Sequence, residues 1–201
     1  MNGSDPLKQY KERRDLETSD EPLGEVSVGG DAPIFVVQKH AASSLHYDLR
    51  LESGGVLKSW AVPKGPSMDP AVRRLAVPTE DHPMAYAGFE GVIPEGHYGA
   101  GTVIVWDRGT FANLKEDKGF AASLDDGHAT FRLDGVKLRG GFALLRTDRG
   151  GKPRWLFFKM KDGEARLGSD IAREKPGSVL TGRSLEQVAT EEKPSNLPDF
   201  G

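Results

Sequence analysis

The sequence predicts a mainly β protein, either a barrel or a sandwich. Three observations carry this. Short runs of β-branched, aromatic or alternating residues recur at close spacing between residues 34 and 160. Gly (25) and Pro (13) together make up about a fifth of the 201 residues, so turns are dense without the chain being low-complexity. Long helical patterns do not alternate with the strands, which argues against a parallel α/β architecture.

The elements follow in order. Residues 1–31 are polar, with Gly24, Gly29 and Gly30 near the end, and read as an arm with a short helix around Leu7–Leu16. Ile34–Val37 is a β-rich run. Leu45–Glu52 alternates, and Ser53-Gly54-Gly55 joins it to Val56–Val62 as a hairpin. Arg74–Pro78 is a short strand. Phe89–Gly101 holds four glycines. No Lys-Ser/Thr follows, so it is no P-loop and reads instead as a demanding connection. It leads into the strand Thr102–Trp106. A helix is expected at Glu116–Leu124, then strands at His128–Leu133, Val136–Leu145 and Pro153–Met160. From Gly168 the composition turns polar, with Pro176, Pro194 and Pro198. The expected division is an arm (1–31) contributing to the site, a barrel (32–167), and a polar, mobile tail (168–201).

Composition removes several classes. There is no Cys, which excludes disulfides, thiolate metal sites and a Cys nucleophile. No apolar run approaches a membrane span, and the polar N-terminus lacks a signal-peptide core, so a soluble, cytoplasmic protein is expected. Net charge is −3, against a strong non-specific polyanion binder. Two stretches, 32–75 and 139–175, are nevertheless basic, which leaves room for a local phosphate-binding surface.

Two of the five histidines, His40 and His46, lie six residues apart. Strand alternation places His46, Asp48 and Arg50 on one face, and Leu45, Tyr47, Leu49 and Leu51 on the other. Imidazole and carboxylate are ligands of first-row divalent metals. His40 can complete such a set, and a solvated polar face is the other reading. Lys64, Arg73, Arg74 and His82 follow within the same region. Arg offers a fork for phosphate, and His a group that titrates near neutrality. No Gly-x-Ser-x-Gly elbow is present.

At Gln38–Glu52, Trp60–Pro66, Arg74–Tyr86 and Phe89–Phe111 the sequence closely resembles the 3′-phosphoesterase domain of bacterial ATP-dependent DNA ligase D. The most specific blocks are Gln-Lys-His…Leu-His-Tyr-Asp-Leu-Arg-Leu-Glu and Glu-Gly-x-Ile-Pro-Glu-Gly-x-Tyr-Gly-Ala-Gly, and the likeness runs from about Tyr10 to Asp162. It looks like the stand-alone form of that domain. The resemblance implies a compact closed β-barrel whose cavity holds a divalent metal, manganese first, with cobalt or zinc as alternatives. It implies removal of 3′-phosphates and terminal ribonucleosides from primer-template ends, with a repair ligase or polymerase as partner and a monomeric state. By match to the family, His40, His46 and Asp48 would be ligands. Arg50, Arg74 and His82 would contact phosphate, and Lys64 and Tyr86 would be further site residues. Tyr10, Arg14, Asp15 and Glu21-Pro22 match the arm linked to the ribonuclease step, although Leu16 stands where an aromatic is usual. Two other classes stay open. One is an iron oxygenase using His46, Asp48 and His82. The other is a non-catalytic DNA-end-binding module using Arg139, Arg146, Arg149, Lys152 and Arg154.

Overall fold

The computed structural model describes residues 5–16, 19–26, 32–147, 151 and 153–191. Among the described residues, ten strands form one antiparallel sheet. They are β1 (Ile34–Ala41), β2 (Leu45–Ser53), β3 (Val56–Val62), β4 (Arg74–Pro78), β5 (His82–Pro83), β6 (Gly91–Ile93), β7 (Gly101–Asn113), β8 (His128–Gly135), β9 (Arg139–Arg146) and β10 (Trp155–Lys159). The order β1-β2-β3-β4-β10-β9-β8-β7 closes because β7 also pairs with β1. An eight-stranded barrel results, with no free edge in the ring. β5 adds to β3, and β6 to β7. The sequence thus leads to the barrel rather than the sandwich.

Hairpin chemistry fixes the register of β2 on β3. Ser53 pairs with Val56 across Gly54 and Gly55. Both glycines have positive φ (65° and 79°), as a tight two-residue turn requires.

Two layers of apolar packing sit on opposite faces of the β1–β2–β3–β7 wall. Inside the ring, Phe35, Val37, Leu49, Leu51, Trp60, Trp106, Phe131, Phe142 and Phe157 form the main core, with every strand of the ring contributing. Outside, Val36, Leu57, Val103 and Val105 are covered by Tyr86, Phe89 and Ile93, and by Leu7 and Tyr10 of the arm. The arm helix, α1 (Lys8–Arg13), lies within the span expected for it.

β7 runs well past the expected end at Trp106. Its pairing with β1 shifts by one residue between Val37 and Gln38, which carries the strand through the charged Asp107. The carboxylate of Asp107 accepts from the Lys137 and Leu138 amides at 3.0 and 2.8 Å, so a buried acid is satisfied there. The expected helix shortens to α2 (Phe120–Asp125).

The polar segment after Gly168 is packed rather than mobile, as far as Glu191. It forms α3 (Ile171–Glu174) and α4 (Leu185–Glu191). The Trp106 indole donates to the Lys175 carbonyl at 2.7 Å, and Val179 N to Val105 O at 2.9 Å. Leu185 and Val188 close on Ile104. Composition missed this because three apolar residues, Ile171, Leu185 and Val188, anchor an otherwise polar stretch. Pro194 and Pro198 lie outside the described residues, as do Gly29 and Gly30.

Candidate metal centre and active-site cleft

Register builds the site. His40 stands opposite His46, Gln38 opposite Asp48, and Val36 opposite Arg50. Ser59 of β3 stands opposite Arg50 on its other side. Directly opposed residues share a face. This polar set therefore lies on the outer wall, not in the barrel's lumen. The expectation of a metal inside the barrel cavity is corrected accordingly: the lumen is filled by the apolar core.

The two imidazoles are held alike. His40 Nε2 lies 2.8 Å from the Gly99 carbonyl oxygen, and His46 Nδ1 lies 3.0 Å from that of Ser44. Carbonyls only accept, so we assign the ring protons to those nitrogens. His40 Nδ1 and His46 Nε2 are left free of those carbonyls, and each lies 3.7 Å from Asp48 Oδ2. One ligand atom from each of the three residues lies within 4.8 Å of the others. Imidazoles aimed by backbone carbonyls, together with one carboxylate, fit a first-row divalent ion with open positions. Burial alone would raise the Asp48 carboxyl. The Arg50 charge and then the two histidines outweigh it, so the group sits below its ordinary value and is ionised at neutral pH.

Arg50 joins this triad to His82. It is buried and donates to Gln38 Oε1 (2.7 Å), Ser59 Oγ (3.0 Å) and Asp48 Oδ2 (3.3 Å). Gln38 is itself fixed, since its amide nitrogen donates to the Tyr86 and Phe89 carbonyls, each at 3.0 Å. The guanidinium also lies 4.9 Å from the Tyr86 ring centre.

His82 stands between two guanidiniums. Its Nδ1 is 2.9 Å from Arg50 Nη1 and 2.9 Å from the Glu80 carbonyl oxygen, and its Nε2 is 3.0 Å from Arg14 Nη2. A neutral ring that donates from Nδ1 to Glu80 and accepts at Nε2 from Arg14 meets two of these three contacts, and Arg50, which can only donate, then stands beside Nδ1 without a hydrogen bond to it. Burial, then Arg50 and Arg14, push its pKa well below the ordinary histidine value. Both ring nitrogens are thus engaged by Arg and backbone groups. His82 does not join His46 and Asp48 in the ligand group, and the iron-oxygenase reading loses its third ligand.

The arm reaches the cleft through Arg14. That side chain pairs with Glu21 (2.8 Å) and Glu80 (2.8 Å) and lies 4.2 Å from the Tyr10 ring centre. Burial opposes its charge, but the two carboxylates outweigh burial and raise its pKa further. Glu21 also accepts from the Tyr86 hydroxyl at 2.9 Å, and Tyr10 donates to the Pro22 carbonyl at 2.6 Å. Burial is the main reason the Tyr86 phenol sits well above its ordinary value.

The cleft, about 270 Å³, is lined by Arg14, His40, His46, Asp48, Arg50, His82 and Tyr86, with Glu80 and Tyr98 beside them. Of the residues expected from the sequence, Glu21 stands behind this lining. Asp15 borders a separate depression with Arg13, His97 and Tyr98. Lys64 and Arg74 are not brought here. They line another opening with Lys39, Tyr47 and Arg173, on the core-facing side of β2.

Sequence reasoning passed over Gln38, Ser59 and Glu80. Counting by twos finds two of them: Gln38 precedes His40 by two, and Glu80 precedes His82 by two. The Gly-rich connection also has a site function, because the Gly99 carbonyl orients His40. Of the basic residues weighed for an end-binding module, Arg139 and Arg146 bound β9 and Arg154 precedes β10, whereas Arg149 and Lys152 lie outside the described residues.

A closed β-barrel with a His-His-Asp centre and an Arg-His pair on its outer wall is thereby defined as a candidate metal-binding protein. Residues 38–146 match the model of the DNA Ligase D 3′-phosphoesterase domain, and the chain belongs to that family. It is 52% identical over 190 residues to the multifunctional non-homologous end joining protein LigD of Pseudomonas aeruginosa, which covers 92% of this chain and 22% of that protein. The LigD of Mycobacterium tuberculosis is 44% identical over 160 residues, covering 79% and 20%. That of Mycolicibacterium smegmatis is 42% identical over 176 residues, covering 84% and 22%. The chain spans about a fifth of the length of these curated relatives. Among the described residues no helix is long and apolar enough to cross a membrane.

Proposed function

We propose that this protein is a divalent-metal-dependent phosphoesterase that heals 3′ ends during non-homologous end joining. It removes 3′-phosphates and terminal 3′-ribonucleosides from primer-template ends and leaves a 3′-hydroxyl for a repair polymerase or ligase, in the cytoplasm. The observation that carries this is the pair of ring nitrogens, His40 Nδ1 and His46 Nε2, converging on Asp48 Oδ2 beside a buried Arg50. Membership of the phosphoesterase family supports the same reading.

His40, His46 and Asp48 would hold the ion, with manganese first and cobalt or zinc as alternatives. When bound, such an ion polarises a phosphoryl oxygen and acidifies a water. Arg50 is preorganised by Gln38 and Ser59 to offer guanidinium N–H groups to the non-bridging oxygens as charge builds on them. Losing one donor of this kind costs on the order of 3 kcal/mol, about a hundredfold in rate. His82 is neutral in the free protein. A phosphate dianion nearby favours its protonation, and a proton on Nε2 can then pass to the leaving 3′-oxygen. Tyr86 holds Glu21 and walls the cleft. Arg14, Asp15 and Glu21 serve the ribonucleoside step. Lys64 and Arg74 contact phosphates of the strand away from the reacting one.

The test uses a 5′-labelled primer-template ending in a 3′-phosphate, incubated with protein and manganese. Chelator and His46→Ala serve as controls. Conversion to a 3′-hydroxyl, lost in both controls, is expected. A folded protein that converts nothing with manganese, cobalt, zinc or magnesium would overturn the proposal.

A further inference from the structure

One opening on the barrel gathers four cations that no acid of the protein pairs with. Lys39 of β1, Lys64, Arg74 at the start of β4 and Arg173 of α3 line a space of about 590 Å³. None of the four side chains makes an ion pair or a hydrogen bond among the described residues. The lining holds one acid, Asp170, whose carboxylate is taken up by the Arg173 amide. The catalytic cleft differs. Its two arginines, Arg14 and Arg50, already face Glu21, Glu80 and Asp48. A chain of net charge −3 draws in a polyanion only where cations are left over. Here they are left over.

The two openings stand back to back on one hairpin. His40 and His46 line the cleft, and their chain neighbours Lys39, Leu45 and Tyr47 line the other opening. Successive side chains of a strand point to opposite faces, so the β1–β2 wall separates the two. The turn Ala42–Ser44 is the tip over which they communicate. A sheet with its side chains is about 10 Å thick, and a nucleic-acid strand advances about 3.4 Å per nucleotide. A strand that crosses this tip therefore reaches the second opening about three nucleotides in from an end held in the cleft.

We propose that this opening holds backbone phosphates of the strand whose 3′ end occupies the cleft, about three nucleotides from that end, with Lys39 and Arg173 as contacts beside Lys64 and Arg74. This rests on the proposed 3′-end-healing function and extends it. It gives that function a minimum substrate length, because a shorter strand cannot reach over the tip. It also makes the packed C-terminal segment, through Arg173, part of the nucleic-acid surface.

The experiment measures fluorescence polarisation of a 5′-labelled single strand ending in a 3′-phosphate, bound to the full chain with chelator present, so that no turnover is involved. A neutral methylphosphonate replaces each linkage in turn, counted from the 3′ end. Kd should rise about fivefold at about the third linkage and be unchanged at linkages well beyond it. The double variant Lys39→Ala, Arg173→Ala should bind the unmodified strand about as weakly as the wild type binds that modified one, and should lose the dependence on linkage position. Its slope of log Kd against log salt should fall by about 1.4, for two lost contacts to a single strand. A wild-type Kd indifferent to every linkage overturns the proposal, as does a double variant that binds like the wild type. So does a linkage dependence found only in an annealed complementary strand, which would assign the opening to the complement. If the double variant does not fold, the linkage scan in the wild type decides alone. Linkage-dependent binding without metal-dependent conversion to a 3′-hydroxyl would defeat the catalytic reading only. Conversion without any linkage dependence would defeat this one only.

Discussion

His40 and His46 are cross-strand partners, and each turns toward Asp48 the ring nitrogen that no backbone carbonyl holds. Two rings on two strands are thereby aimed at one carboxylate, His40 through Nδ1 and His46 through Nε2. His40→Ala, His46→Ala and Asp48→Ala should each lose manganese binding by about a hundredfold or more while remaining folded. Isothermal titration with manganese, beside circular dichroism, measures both. Wild-type affinity in any of the three removes that residue from the ligand set.

Arg14 ties the arm to the cleft through two buried carboxylates. Arg14→Ala leaves Glu21 short of a partner and takes one of Glu80's two arginines, Arg13 remaining. Breaking a buried pair of this kind costs roughly 3 kcal/mol. A lower urea midpoint is expected, together with loss of ribonucleoside removal and retention of phosphatase activity. Equal loss of both activities would show that the arm serves the fold rather than one step.

His82 gives the stability a pH dependence of known sign. Its folded pKa lies well below the ordinary value of 6.5. Below that value the unfolded chain takes up a proton that the native ring refuses, so stability falls as the pH drops from about 6.5 toward the folded pKa. His82→Gln should flatten the urea-midpoint profile between pH 7.5 and 5. An unchanged slope would mean that His82 is not held neutral.

α4 covers the end of the wall at Ile104 with Leu185 and Val188. Ending the chain at residue 183 removes both side chains and should cost about 3 kcal/mol. The loss should appear as a lower melting temperature with the cleft's manganese affinity unchanged. A melting temperature equal to that of the full chain would show that this packing adds nothing.

Much of this was legible in the sequence, and the reasons are local. Alternation along Leu45–Glu52 gave both faces of β2, because side chains of a strand have period two. The arm helix and the Gly-Gly turn were signalled by their own residues. What escaped depends on contacts distant in sequence. Glu80 is a site residue because Arg13 and Arg14, 67 and 66 positions earlier, reach it. Lys64 and Arg74 sit near the site in sequence, yet they line another opening. α3 and α4 are fixed by strands that precede them by scores of residues. The location of the candidate metal centre outside the ring also escaped, because alternation tells two faces apart without saying which one closes inward.

That arrangement writes two messages on β2 at alternate positions. Odd-numbered residues Tyr47, Leu49 and Leu51 fill the lumen, and even-numbered residues His46, Asp48 and Arg50 build the cleft. Inserting or deleting a single residue within the strand would exchange the messages, driving charge into the apolar core and leaving leucines where chemistry is needed. The strand's length is therefore a locked quantity. Divergence in length among proteins of this design must be absorbed at the turns, Ala42–Ser44 before the strand and Ser53–Gly55 after it, while substitution within the strand is judged by a different criterion at each successive position.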